Sequence, residues 1–203
     1  MKMNKCGAIG ISGYMGSGKS TVAAYLSRKG GEIIDVDMLA KQLMNSDDEM
    51  RQNLVSAFGE EICPENTLDF SLLGQRAYTS LESLDRLNRI VHPLLLHELS
   101  CRRNAACAGT RVFDAALIPL WHIEEWFDKL VWVEASFEIR LKRLLSKRSL
   151  SGDEQQKRMR FQQALFEKPH GALWIEVCND GTIDQLERRL CSEDFAPVLN
   201  LIN

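Results

Sequence analysis

Residues 13–20 read Gly13-Tyr14-Met15-Gly16-Ser17-Gly18-Lys19-Ser20, and no other stretch restricts the fold of this chain so sharply. The pattern is G-x-x-x-x-G-K-[ST]. Its glycines let the main chain curl until successive N–H groups converge on one anion. The positive end of a following helix dipole adds to that field. Lys19 is expected to bring a mobile cation to the β- and γ-phosphates of a nucleotide, and Ser20 a hydroxyl to Mg²⁺. Four fixed positions arise by chance in roughly one chain of this length in a hundred. Here an apolar run precedes the pattern and helical spacing follows it, which is the setting that the motif needs.

The flanking sequence predicts the start of a parallel α/β sheet. Residues 6–11 read as a buried first strand, and residues 20–29 as a helix with Val22, Ala23 and Leu26 at helical spacing, stopped by Gly30-Gly31. Residues 32–36 form a second strand candidate, followed by helical sequence from about Met38. Such alternation specifies parallel strands joined by crossover helices. Further strands are expected at 111–114, 130–134 and 174–177, and a last helix at 183–190. The middle, roughly 47–108, carries no convincing strand and shows a helical stripe of Leu81, Leu84, Leu87 and Val91 that resumes beyond a break at Pro93. The fold class is therefore α/β: a parallel-sheet core flanked by helices, with a helical insertion.

Composition narrows the function classes. With 25 basic and 28 acidic residues among 203, the net charge of −3 gives no overall attraction for nucleic acid. The apolar runs are far too short for a membrane span, and the first residues lack a signal-peptide pattern, so a cytoplasmic protein is expected. Six cysteines show no C-x-x-C pair and no histidine at zinc spacing, and they read as free thiols without chemistry.

A phosphate loop alone does not fix the reaction. No N-K-x-D segment follows a later strand, which argues against a guanine-specific switch. Residues 140–160 carry eight Lys or Arg against Asp153 and Glu154. That run reads either as a solvated helix face or as a lid whose arginines reach the phosphates. Asp35 and Asp37 fall at the exit of the second strand, where open α/β sheets place ligand-binding groups. Asp37 is read as the carboxylate that orients an acceptor hydroxyl and accepts its proton, and Asp35 as a cap or support. Asp114 ends the third strand candidate as a ligand residue or a turn residue.

These segments together resemble the dephospho-coenzyme A kinase family. The loop from Gly13 to Thr21 is similar to its ATP-binding loop, and Asp35-Val36-Asp37 to its Asp-x-Asp signature. Leu87-Asn88-Arg89-Ile90-Val91-His92-Pro93 is similar to its Leu-Asn-x-Ile-x-His-Pro segment. Arg143 to Arg148 and Arg158 to Gln162 resemble its lid, and Asn179-Asp180-Gly181 its closing segment. The resemblance implies a core of 1–44, 109–136 and 169–203, a helical substrate domain of 45–108 and a lid of 137–168. It also implies ATP, Mg²⁺ and phosphorylation of the ribose 3′-hydroxyl of dephospho-CoA.

By that carry-over Gly13, Met15, Gly16, Ser17, Gly18, Lys19, Ser20, Thr21 and Arg148 would bind ATP. Lys19, Asp37 and Arg143 would be catalytic, and Asp37, His92 and Asp114 would contact the acceptor. His92 can equally be a packed residue before the proline. Departures lie on the substrate and closing sides: Asp114-Ala115-Ala116-Leu117-Ile118 where the family has Asp-x-Pro-Leu-Leu, Leu120 at an acidic position, Phe70 for Arg and Trp174 for Asp. Two alternatives stay open: a kinase of another small acceptor, such as a nucleoside monophosphate or sugar acid, and a nucleotide-binding module without catalysis. Monomer and homo-oligomer are both compatible with the sequence.

Overall fold

The computed structural model describes residues 6–146 and 151–202. Among them the chain runs β1 (Gly7–Ser12), α1 (Lys19–Arg28), β2 (Glu32–Asp35), α2 (Val36–Ser46), α3 (Asp48–Phe58), α4 (Phe70–Ala77), α5 (Leu81–Asn104), β3 (Thr110–Asp114), α6 (Ile118–Trp121), β4 (Lys129–Glu134), α7 (Phe137–Ser146), α8 (Gly152–Leu165), β5 (Trp174–Cys178), α9 (Ile183–Leu190) and α10 (Ala196–Leu199). Two compact units result, one of residues up to 35 and from 103 onward, the other of Val36–Arg102.

The first unit holds a five-stranded sheet of order β2-β3-β1-β4-β5, with every pairing parallel. Parallel strands covered on both faces read as nearly continuous apolar runs, which is why the strands were visible in the sequence. Alternation sends Ile9, Ile11, Val112, Val131, Val133 and Val177 to one face. There they pack with Val22, Tyr25 and Leu26 of α1 and Leu186 and Leu190 of α9. Each fully buried aliphatic side chain contributes about 1.5–3 kcal/mol. The opposite face presents Trp132 to Tyr14 and Phe166. The crossover from β1 leads to β2 on one side of the sheet, whereas that from β3 leads to β4 on the other. A crevice therefore opens at the carboxyl ends of β1 and β3, where such sheets bind ligands.

The second unit is helical. Asp47 caps α3 by accepting from the Met50 N–H at 2.7 Å, and Asp69 caps α4 through the Ser71 and Leu72 N–H groups. The unit spans Val36–Arg102, with α2 beginning directly after β2 and packing on α3. The break expected at Pro93 is absent, since α5 continues through it. Proline removes one N–H and crowds the preceding turn, but Leu84, Val91, Leu95 and Leu99 are all buried and hold one face of the helix in place. His92 is half-buried in α5. Burial lowers its pKa from the usual 6.5 to about 4, against the opposing pull of Asp85, so the imidazole is neutral near pH 7. No described helix is long and apolar enough to cross a membrane.

The cysteine expectation requires correction. Cys6 and Cys107 form a disulfide with Cα atoms 5.4 Å apart, while Cys63, Cys101, Cys178 and Cys191 are free. Strand register explains the pairing: Gly7 lies beside Thr110, so the segments leading into β1 and β3 enter the sheet side by side. A separation of 101 residues hid this from the sequence.

Alkylation before reduction should label four of the six cysteines, and Cys6→Ser with Cys107→Ser should cost about 2–4 kcal/mol in urea denaturation. Six labelled thiols would reject the bridge. A neutral buried histidine binds fewer protons folded than unfolded, so its contribution is complete above pH 6.5 and is lost as pH falls toward about 4. The stability of the parent protein should therefore decline over that window more than that of His92→Gln, read from urea midpoints at each pH. Parallel curves would show that His92 titrates normally.

Candidate active site

β1 ends at Ser12, residues 13–18 turn, and α1 begins at Lys19. Gly18 precedes the helix in the left-handed region, at φ 99°, and Gly16 lies at φ 81°. Close approach adds a second demand for glycine. A Cβ on Gly16 would stand 2.8 Å from the Arg140 carbonyl oxygen, and one on Gly18 would collide with the Asn179 amide. The Ser17 N–H donates to the Tyr14 carbonyl at 3.0 Å, and the Thr21 and Val22 N–H groups both donate to Gly18. Among the described residues, the N–H groups of Gly16, Gly18, Lys19 and Ser20 have no protein acceptor, and Lys19 has no ion pair. Four spare donors at a helix N-terminus form an anion-binding concavity.

The rear of the loop, in contrast, is densely bonded. Arg140 of α7 is only 2 % exposed. Its guanidinium donates to the Ala135 carbonyl at 3.1 Å and the Met15 carbonyl at 3.5 Å, and lies 5.1 Å from the Tyr14 ring centre. Burial lowers its pKa from the ordinary arginine value, with Glu134 opposing. Arg143, one turn further on, donates to the Ser17 carbonyl at 3.2 Å, the Gly16 carbonyl at 3.4 Å and the Asn179 carbonyl at 2.8 Å. The buried Asn179 amide donates to the Ser17 carbonyl at 2.7 Å. Gln162 of α8 accepts from the Met15 N–H. Tyr14 stacks on Phe166 and meets Trp132 edge-on, with centroids 5.4 and 5.0 Å away.

The loop residues Gly13, Met15, Gly16, Ser17, Gly18, Lys19, Ser20 and Thr21 all belong to the first unit, as do Asp114 and Arg143. Asp114 is half-buried beside Asp35 and Ile11 in strand register, at the crevice between β1 and β3. The Met15 N–H donates to the Gln162 side chain. Arg143 grips the Gly16, Ser17 and Asn179 carbonyls behind the loop. Asp37, exposed in the first turn of α2, and His92 belong to the second unit. Arg148 lies outside the described residues.

Sequence reasoning missed Arg140, Gln162 and Asn179 as supports of the loop. Their signals were weak: two arginines three apart just after a strand, and an asparagine at the exit of β5.

The Ser17 hydroxyl is buried without a hydrogen-bond partner among the described residues, one more unsatisfied polar atom in this turn. A polyphosphate therefore fits the loop. Ser20, exposed beside it, offers the hard oxygen that Mg²⁺ prefers, and one hydroxyl leaves the other coordination positions to phosphate oxygens and water. Asn179→Ala should remove one of the two donors to the Ser17 carbonyl, Arg143 remaining, at a cost of about 0.5–1.5 kcal/mol. Calorimetric titration should then show nucleotide affinity reduced about tenfold; unchanged affinity would remove Asn179 from loop support.

The sequence model of the family described as "Dephospho-CoA kinase" matches residues 7–185. A dephospho-CoA kinase of Corynebacterium glutamicum is 34 % identical over 199 residues, covering 96 % of this chain and 98 % of that protein. The crystal structure of TT1252 from Thermus thermophilus is 31 % identical with a TM-score of 0.71, covering 98 % of this chain and all of that one. The dephospho-CoA kinase of Campylobacter jejuni, at 16 % identity and a TM-score of 0.53 over 91 % of this chain and 93 % of its own, shares the fold. With a phosphate loop at the head of a parallel sheet and a family match across most of its length, this chain belongs to the dephospho-CoA kinase family.

Proposed function

We propose that this chain transfers the γ-phosphoryl group of ATP to the ribose 3′-hydroxyl of dephospho-CoA, the last step of coenzyme A synthesis. One observation carries the phosphoryl-transfer part: four main-chain donors and Lys19 stand unpaired around one turn, while the rear of that turn is held by Arg140, Arg143 and Asn179. Donors fixed before the ligand arrives need no reorganisation when charge develops, which is how electrostatic catalysis lowers a barrier. The identity of the acceptor is supported by the family match over residues 7–185.

In this reading Lys19 neutralises charge on the β- and γ-phosphates. Asp37 orients the acceptor hydroxyl and takes its proton. The new oxygen–phosphorus bond forms as the bond from the γ-phosphorus to the bridging oxygen breaks, and ADP leaves. Mg²⁺, held partly by Ser20, would supply charge neutralisation across the phosphates. Asp114 and the neutral His92 serve the acceptor side, and the helical unit is the substrate domain. Arg143 acts as a positioning residue through the loop carbonyls.

Incubation with Mg-ATP and dephospho-CoA should give a product heavier by one phosphoryl group. Asp37→Asn should lower kcat by about 10²–10⁴-fold and leave nucleotide affinity within about twofold. ADP release with a nucleoside monophosphate or a sugar acid, but none with dephospho-CoA, would reassign the acceptor. Full turnover by Asp37→Asn would remove that residue from proton transfer.

A further inference from the structure

On the sheet face opposite α1, a cavity of about 500 Å³ lies between α6 and the segment joining α8 to β5. Its volume falls in the range of small-molecule sites. The wall nearest the loop is shared with the phosphate site: Phe166 lines the cavity and also stacks on Tyr14, and Leu120, Leu165 and Trp174 pack on that same aromatic group. The cavity thus starts one side chain away from the phosphate loop, and α6 leads into it from Asp114 at the crevice.

Its charges identify what it can hold. Lys168 is the lining lysine, and it is already bridged to Glu176 at 2.7 Å and Glu134 at 3.5 Å. Glu124 and Glu167 add negative charge to the wall. A second phosphate or nucleotide would therefore meet net repulsion. Apolar and aromatic surface with scattered polar groups, such as His122 and His170, suits an uncharged chain of amides and methyl groups.

Resting on the functional reading above, we propose that this cavity receives the pantetheine arm of dephospho-CoA and is the specificity site for that arm. Phe166 and Trp174 supply its apolar contact surface. The aromatic contact with Tyr14 couples occupancy of the cavity to the nucleotide loop.

The test uses two acceptors with the same reacting ribose, dephospho-CoA and the methyl ester of adenosine 5′-diphosphate, which lacks the arm. Ala172 and His170 are exposed at the rim, so Ala172→Trp and His170→Trp narrow the cavity without entering the core. Each variant should raise KM for dephospho-CoA about tenfold with kcat within about twofold, and leave KM for the methyl ester unchanged. Equal KM changes for both acceptors, or none for either in folded variants, would overturn the cavity assignment while leaving the kinase reading intact. An unmodified protein that phosphorylates neither acceptor would overturn the functional reading, and this inference with it.

Discussion

The structure turns on the contact between the glycine turn and what stands behind it. Arg140, Arg143 and Asn179 satisfy the carbonyls of Met15, Gly16 and Ser17, and in doing so fix which way the peptide planes face. Carbonyls bound at the rear leave N–H groups at the front. An isolated glycine-rich turn would sample many conformations, because glycine loses more freedom on ordering than any other residue. Two guanidinium groups and one buried amide offset that cost.

Arginine suits this task for physical reasons. Its planar fork bonds several carbonyls at once, and its charge persists when water is excluded. Arg140 uses both properties and adds the face of Tyr14. The basic run after β4 thus begins as loop scaffolding. Helix α7, set down by the end of β4, carries the support, and α8 extends it through Gln162 and the aromatic group around Phe166.

The same economy of contacts separates the two sides of the sheet. One face is aliphatic and closed by α1, α9 and α10. The other is aromatic, incompletely filled, and opens into the cavity beside α6. Tight interdigitation stabilises the first, whereas the second leaves a volume lined partly by polar side chains. Among the family departures, Leu120 and Trp174 line this second face, whereas Ile118 is fully buried.

The positions of the strands along the chain, the phosphate turn, the helical middle and the family were legible in the amino-acid sequence, since each depends on local periodicity or on residues adjacent along the chain. Five parallel strands announced themselves as apolar runs, and Lys19 and Ser20 by their place after Gly18. Proximity between distant residues was not legible. The Cys6–Cys107 bridge, the grip of Arg143 on Ser17, the Asn179 amide under the loop and the path of α5 through Pro93 all depend on register and packing across the fold. Sequence fixes which groups are available; only the folded sheet decides which of them meet, because contact energies between residues a hundred positions apart exist only once the chain has closed.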